Sequence, residues 1–181
     1  MELIKNFKEN SLVKNLFLAI LATLLLAVSS KIKIPFWPVP MTMQTFVVML
    51  IGILFGWKLG LFTVSLYLME GIVGLPVFAG TPEKGMGIVY FTGPTMGYLL
   101  GFLVTVYLTG FFKFDNNFLK NFVKLCFAVS FIYSFGLLWL GSLIGWDKPI
   151  FELGAQPFLL AELFKVLILT ILIPKILRFR I

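Results

Sequence analysis

Long apolar segments alternate with short polar or proline-rich breaks along the whole chain. A helix that crosses the hydrocarbon core of a bilayer needs about 20 mainly apolar residues. The pattern therefore predicts an all-α polytopic membrane protein, a bundle of six transmembrane helices in which residues 1–181 form a single domain. The predicted spans are Leu12–Ser29, Met41–Phe55, Leu59–Val73, Thr95–Phe112, Phe118–Ile144 and Pro157–Leu177.

Two of the breaks are long and rich in proline and glycine. The first reads "KIKIPFWPVP" and the second reads "GLPVFAGTPEKGMGIVYFTGP". Proline does not continue a helix, and long loops in a compact bundle are usually functional. Both breaks are therefore predicted to be ordered loops. Aromatic residues near predicted span ends, where interfacial anchoring is typical, are Trp37, Trp57, Tyr90 and Trp146.

Basic residues fall unevenly on the two sides of the predicted membrane. Six spans place both termini on the side with more lysine and arginine, so the positive-inside rule predicts cytoplasmic termini and extracytoplasmic Pro/Gly-rich loops. The basic N-terminus resembles a secretory signal, but no small-residue cleavage site closes the first apolar run, which predicts a retained helix. The cytoplasmic set is Lys5, Lys8, Lys14, Lys58, Lys113, Lys120, Lys124, Lys175, Arg178 and Arg180, and the outer set is Lys31, Lys33, Lys84 and Lys148.

Composition agrees with this pattern and narrows the chemistry. Of the 181 residues, 60% are hydrophobic and 13% are charged, and the net charge is +7. The basic residues are scattered rather than interleaved with aromatic residues, which argues against nucleic-acid binding. The chain has no histidine and one cysteine, Cys126, so disulfide frameworks and histidine metal sites are excluded. Cys126 is expected to pack as a small apolar side chain, and no cofactor or metal is predicted.

Three ionisable residues, Glu70, Glu162 and Lys165, lie inside predicted spans. A charge facing lipid costs at least about 3 kcal/mol, so these side chains should face the bundle interior. Glu162 and Lys165, at positions i and i+3, share one helix face. They form either a self-neutralising pair or a site for a polar ligand. Glu70, close to the outer end of its span, is either a ligand residue or a solvated cap.

Small residues recur every four positions in the first span, at Ala19, Thr23 and Ala27. Such stripes let helices approach closely in lipid. The stripe is therefore predicted to form either a contact within the chain or a docking surface for another membrane protein.

The sequence lacks the residues that two common kinds of enzyme need. The sequence has no glycine-rich phosphate loop that ends in Lys-Ser/Thr, so ATP-driven work would require a partner. Without histidine, a serine or cysteine hydrolase loses its usual base. The sequence therefore predicts that the chain is not an enzyme.

Four ordered motifs resemble one family, the BioY group of biotin-binding S components from energy-coupling-factor (ECF) vitamin transporters. The motifs are "KIKIPFWPVPMTMQTF", "YLMEGIVGLPVFAG", "GPTMGYLLGF" and "PFLLAELFK". Together with the helix count they cover nearly the whole chain. The resemblance implies a multi-pass protein of the bacterial plasma membrane that captures biotin outside with high affinity. It also implies partners: a transmembrane coupling protein and two cytoplasmic ATPases that use ATP, while the bundle topples in the membrane to release biotin inside.

The resemblance also implies roles for individual residues. Glu162, where the family usually has aspartate, and Lys165 would recognise the ligand, and the Ala19, Thr23 and Ala27 stripe would dock on the coupling protein, with Thr23 a mild departure. In the fourth-helix motif Met96 replaces the first of two family glycines and Gly97 is the second. Phe78 and Tyr98 would pack the biotin rings, and Trp37 and Phe78 are lid candidates or interfacial anchors. Thr42 and Gln44 are polar ligand contacts or local caps. The full set of substrate-binding candidates is Trp37, Thr42, Gln44, Glu70, Phe78, Tyr98, Glu162 and Lys165.

Three other functions remain open from the sequence. An ion- or proton-coupled secondary transporter of a small solute would also use intramembrane charges, although no inverted repeat with paired broken helices is visible. A structural or assembly protein would bind no small molecule. An S component for another vitamin would differ only in ligand specificity.

Overall fold

The structure, a computed structural model, describes residues 11–83 and 85–180 and is almost entirely helical. The all-α prediction is therefore confirmed. Lys5, Lys8 and Lys84, which contribute to the predicted orientation, lie outside the described residues. The elements in chain order are α1 (Ser11–Lys31), β1 (Lys33–Ile34), β2 (Met41–Thr42), α2 (Gln44–Ile72), a 3₁₀ helix (Gly87–Thr92), α3 (Met96–Phe111), α4 (Phe118–Ile144), α5 (Ile150–Gly154), α6 (Gln156–Ile176) and a 3₁₀ turn (Leu177–Phe179).

Four helical segments of the described chain are long and apolar enough to cross a membrane, namely Leu12–Lys31, Gln44–Ile72, Phe118–Ile144 and Gln156–Phe179. The apolar helix α3, Met96–Phe111, is shorter. Large apolar side chains such as Leu16, Leu24 and Leu160 are exposed on the outside of the bundle, as expected for surfaces that face lipid. The chain is a multi-pass membrane protein.

Helix α2 has a sharp break at Gly56, where φ is +69° and ψ is 176°. Glycine adopts this left-handed φ without the steric cost that a side chain would add. Residues 44–55 and 57–72 consequently pack side by side: Gln44 Nε2 donates a 2.7 Å hydrogen bond to Tyr67 Oη, and a Cβ on Gly60 would lie 3.5 Å from Gly52 Cα. The break falls between the two spans predicted here from the sequence.

The two Pro/Gly-rich loops are ordered by different means. In the first, β1 and β2 pair antiparallel, with Lys33 opposite Thr42. In the second, which joins α2 to α3, the 3₁₀ helix Gly87–Thr92 forms after a series of turns. This second loop brings Phe78 and Tyr90 into the interior of the bundle.

Helices α3 and α4 pack through glycine. A side chain at Gly97 would overlap the carbonyl oxygen of Phe135, and one at Gly101 would lie 2.5 Å from Ile132 Cα. The close backbone approach at Gly97 is therefore made to α4.

The small-residue stripe of α1 is an internal contact at two of its three positions. Ala19 and Thr23 are 0% and 1% exposed, and Ala27 is half-buried. Thr23 Oγ1 donates 2.8 Å to Glu70 Oε1 in α2. Ala19 and Thr23 therefore pack within the chain in this structure, as the first of the two predicted roles requires, and docking of the stripe on a partner stays a prediction.

Candidate small-molecule site

A buried ion pair lies at the centre of the bundle, on α6. Lys165 Nζ is 3.2 Å from Glu162 Oε2, and the two residues are 8% and 4% exposed. Lys165 Nζ also donates 2.7 Å to the Thr42 carbonyl oxygen and 2.9 Å to Thr45 Oγ1. These contacts use all three ammonium protons. The i, i+3 spacing on one helix face explains why the sequence predicted this pair to act together.

The carboxylate of Glu162 is satisfied on one oxygen only. Oε2 accepts from Thr45 Oγ1 at 2.9 Å and from Tyr133 Oη at 3.0 Å, in addition to Lys165. Oε1 is buried and has no hydrogen-bond partner among the residues that the structure describes. Buried polar atoms are almost always paired, because an unpaired one costs about 1–3 kcal/mol. Oε1 therefore has a hydrogen-bonding capacity that no described residue uses.

A pocket with mixed polar and apolar walls adjoins this pair. Its empty space is about 560 Å³ when the opening is included. Its lining combines charged and polar groups with aromatic and aliphatic side chains. This is the composition typical of small-molecule sites. Candidates from the sequence that line it are Thr42, Gln44, Phe78, Tyr98, Glu162 and Lys165.

Phe78 forms an aromatic wall supplied by the second loop. Its ring is 1% exposed, stacks on Tyr90 at 4.8 Å and meets Tyr67 edge-on at 5.3 Å. A Cβ at Gly71 would overlap the Phe78 ring, so glycine at this position allows the ring to pack against α2. Phe78 is thus part of the buried core as well as the pocket lining.

Thr42, the last residue of β2, and Gln44, the first residue of α2, both line the pocket. Gln44 Nε2 donates to Tyr67 Oη, and Tyr67 Oη donates 2.8 Å to the Val77 carbonyl oxygen. Thr42 Oγ1 makes only long 3.4 Å contacts with Gln44. The N-cap of α2 is Met43, which makes no side-chain capping hydrogen bond. The main-chain carbonyl of Thr42, not its side chain, receives Lys165.

Glu70 and Trp37 do not line this pocket. Glu70 accepts from Thr23 in α1, which places its carboxylate on the α1 side of α2. Trp37 is 75% exposed, at the edge of a separate surface depression that Tyr90 also lines. Their ligand roles stay predictions that the pocket geometry does not support.

Tyr90 is the one aromatic residue whose predicted interfacial role is wrong. It is buried, and its hydroxyl accepts from the Gly80 amide at 3.3 Å. Burial raises the pKa of the Tyr90 phenol, so the group remains neutral near pH 7. Tyr90 supports Phe78 and lines the pocket.

Sequence reasoning missed Thr45 and Tyr133, both of which bind Glu162 Oε2. Thr45 directly follows Gln44, which was a predicted polar contact, so its place in the same helical turn could have suggested it. Tyr133 lies mid-span in α4, far from α6 in sequence, and carries no local signal. Tyr98, correctly placed in the pocket, donates 2.7 Å to the Gly154 carbonyl oxygen. No group of three or more acidic residues or cysteines in the described part of the chain could hold a metal ion.

The fold and the pocket together define a helical membrane protein that holds a small molecule between its helices. A profile of the BioY family matches residues 4–180. The probable biotin transporter BioY of Pyrococcus horikoshii is 35% identical over 158 residues, which are 87% of this chain and 89% of that protein. The biotin transporter BioY of Thermotoga maritima is 32% identical over 157 residues, 86% and 91% of the two chains.

A comparison with a solved structure points to the same family as these relatives. The crystal structure of the S-component for biotin from an ECF-type ABC transporter superimposes with a TM-score of 0.77 and 26% identity, covering 92% of each chain. This chain belongs to the BioY family. The resemblance based on four motifs is therefore confirmed, and so is the prediction of a transporter protein rather than an enzyme.

Proposed function

We propose that this chain is the biotin-binding S component of an ECF-type uptake transporter. The single observation that carries the proposal is the buried Oε1 of Glu162, which no described residue pairs, on a side chain that lines a pocket with aromatic walls. Biotin has two ureido N–H donors, a ureido carbonyl, an apolar fused thioether ring and a carboxylate on an aliphatic tail. An N–H of the ureido ring supplies the donor that Oε1 lacks.

The other residues that line the pocket have complementary roles in this proposal. Lys165 already has three acceptors, so its main role is to hold the carboxylate of Glu162 in place and balance its charge. Phe78 and Tyr98 enclose the apolar rings, and Gln44 offers an amide to the polar edge. Because the side chains are positioned before the ligand arrives, little ordering entropy is lost on binding.

The proposed topology has six membrane crossings and both termini in the cytoplasm. The break at Gly56 divides α2 into two antiparallel segments, and α3 adds the short apolar crossing. Arg180 donates to the Gly110 carbonyl oxygen and lies near Gly56, so this basic residue lies at the same end as the α2 break. The pocket loop lies at the other end, which we assign to the outer side of a bacterial plasma membrane.

Transport requires partners in this proposal. Biotin is captured outside by this chain, a single domain spanning residues 1–181, while a transmembrane coupling protein and two ATPases provide the energy for release inside. No resident cofactor or metal is proposed. The exposed apolar face of α1, which includes Leu16 and Leu24, is a surface of α1 that can meet the coupling protein, in addition to the predicted stripe of Ala19, Thr23 and Ala27.

Calorimetry on the detergent-purified protein tests the proposal. Biotin is titrated alongside a panel of other vitamins, and desthiobiotin, which retains the ureido ring but lacks the thioether bridge, probes the ring wall. We expect biotin alone of the natural vitamins to bind tightly. Absence of biotin binding would refute the function, and tight binding of another vitamin would reassign it within the same class. Uptake by vesicles that depends on a proton gradient without an ATPase would favour a secondary transporter instead.

A further inference from the structure

The C-terminal residue of α1 holds the turn that contains Phe78. Lys31 Nζ donates 2.8 Å to the Phe78 carbonyl oxygen, 3.0 Å to the Thr81 carbonyl oxygen and 3.3 Å to Thr81 Oγ1. Three oxygens of one turn thus surround a single ammonium group. Thr81 Oγ1 in addition donates 2.8 Å to the Phe78 carbonyl oxygen, which closes the turn on itself.

The residues on either side of Lys31 extend the same contact. Lys33 Nζ donates 2.7 Å to the Ala79 carbonyl oxygen, and Ser30 Oγ donates 2.8 Å to the Val77 carbonyl oxygen. The carbonyls of 77, 78, 79 and 81 are therefore all bound by side chains from residues 30–33. We call Ser30, Lys31 and Lys33 the α1 clamp.

The two clamp lysines bind main-chain oxygens instead of carboxylates. Among residues 11–83 and 85–180, the ion pairs are Lys148 with Asp147 and Lys165 with Glu162, and neither clamp lysine takes part in one. Hydrogen bonds from a charged donor are stronger than those between neutral groups. Lysine at these positions therefore fixes the path of the turn, which neutral surface residues would not do.

The clamped turn is the wall of the pocket. Phe78 and Ala79 line it, and the clamped carbonyls belong to these residues and their neighbours. From the opposite side Tyr67 and Tyr90 bind the Val77 carbonyl and the Gly80 amide of the turn. The clamp therefore acts on the backbone that carries Phe78, whose ring packs against Tyr67, Tyr90 and Phe91.

We propose that Lys31 and Lys33 are positioning residues for ligand retention, which hold Phe78 closed over the bound molecule and connect α1 mechanically to the pocket. The inference rests on the proposed function, since it takes biotin as the retained ligand. Neither lysine touches the pocket. Their effect is on the rate at which the turn opens and so on the dissociation rate, because affinity differences among variants of one site arise mainly in dissociation.

The test compares K31M and K33M with K148M in the full chain. Lys148 is also an outer-loop lysine that loses one charge on substitution, but it pairs with Asp147 and does not contact the turn. Two quantities are measured: amide hydrogen exchange of residues 78–81 without ligand, and the dissociation rate of labelled biotin. We expect both clamp variants to exchange faster at this turn and to release biotin about tenfold faster, the effect of losing a hydrogen bond from a charged donor. Association should be unchanged.

The conservative variant K31R separates positioning from a general loss of stability. Arginine keeps the charge and can still donate to carbonyl oxygens, so it should restore slow exchange and slow release, whereas a loss of fold would also lower the unfolding temperature of K31M. Biotin release at the wild-type rate from both methionine variants, or equal changes in K148M, would overturn the inference. If the wild-type protein binds no biotin, the proposed function fails, and the exchange measurement still decides whether the clamp holds the turn.

Discussion

The pair of Glu162 and Lys165 allows a cycle of substitutions that separates a structural role from ligand binding. Three variants are needed: Glu162→Gln, Lys165→Met and the double variant. Each single change leaves one charged group buried without its partner, since both side chains are less than a tenth exposed. The double change removes both charges at once and keeps side chains of similar volume.

The expected losses of stability follow from the contacts. Breaking a buried ion pair by removing one member costs about 3–5 kcal/mol, while replacing both members with neutral groups is often close to neutral. Lys165→Met also leaves the Thr42 carbonyl oxygen without its 2.7 Å donor. The free energy of unfolding should therefore fall most for Lys165→Met, less for Glu162→Gln, and least for the double variant.

Binding should follow a different order. Glu162→Gln turns a charged acceptor into a neutral amide, so we expect biotin affinity to fall by about 10-fold to 150-fold, the equivalent of about 1.5–3 kcal/mol for a hydrogen bond to a charged group. The double variant should bind as weakly as the weaker single variant. Stability is measured by thermal unfolding in detergent and affinity by calorimetry, with the exposed Glu152→Gln as a matched control. A stable double variant that binds biotin like the wild type would show that the pair serves insertion and folding alone, and it would refute the site.

Three further changes test single contacts. Gly71→Ala places a methyl group where the Phe78 ring lies, and we expect it to lower the free energy of unfolding by about 1–3 kcal/mol. Calorimetry should also show weaker biotin binding, and an unchanged affinity would mean that Phe78 is not a pocket wall. Tyr133→Phe removes a donor to Glu162 and should weaken binding about tenfold, whereas an affinity equal to wild type would exclude a positioning role. Glu70→Gln should change the affinity for biotin by less than about twofold, and a larger loss would show that Glu70 belongs to the binding site.

Much of the fold followed from the sequence because the bilayer imposes it. Backbone groups in hydrocarbon must be paired within the segment, so long apolar runs form helices whatever their neighbours are. The break at Gly56 and the Pro/Gly-rich loops could also be predicted from the sequence. Glycine and proline change which backbone angles are accessible, so they mark where a helix ends. The cost of burying charge in lipid identified Glu162 and Lys165 before any contact was known.

The sequence could not decide which way each helix faces. Ala19 and Thr23 carry the spacing of a docking stripe, yet they pack inside the chain, and Glu70 turns toward Thr23 and away from the pocket. Both outcomes depend on helix rotation, which is determined by packing between helices. Spacing within one helix does not contain that information.

The sequence by itself determined that the chain is a helical membrane protein, where its helices break, and which two charged residues the bundle must bury. Each of these depends on the free energy of moving one segment of the chain from water into hydrocarbon, which the residues of that segment determine. Only the tertiary structure decided that Thr45 and Tyr133 meet Glu162, that one oxygen of this carboxylate has no partner within residues 11–83 and 85–180, and that Lys31 and Lys33 hold the Phe78 turn. Those contacts join residues far apart in the chain, and their energies arise from distances that exist only after the helices have packed.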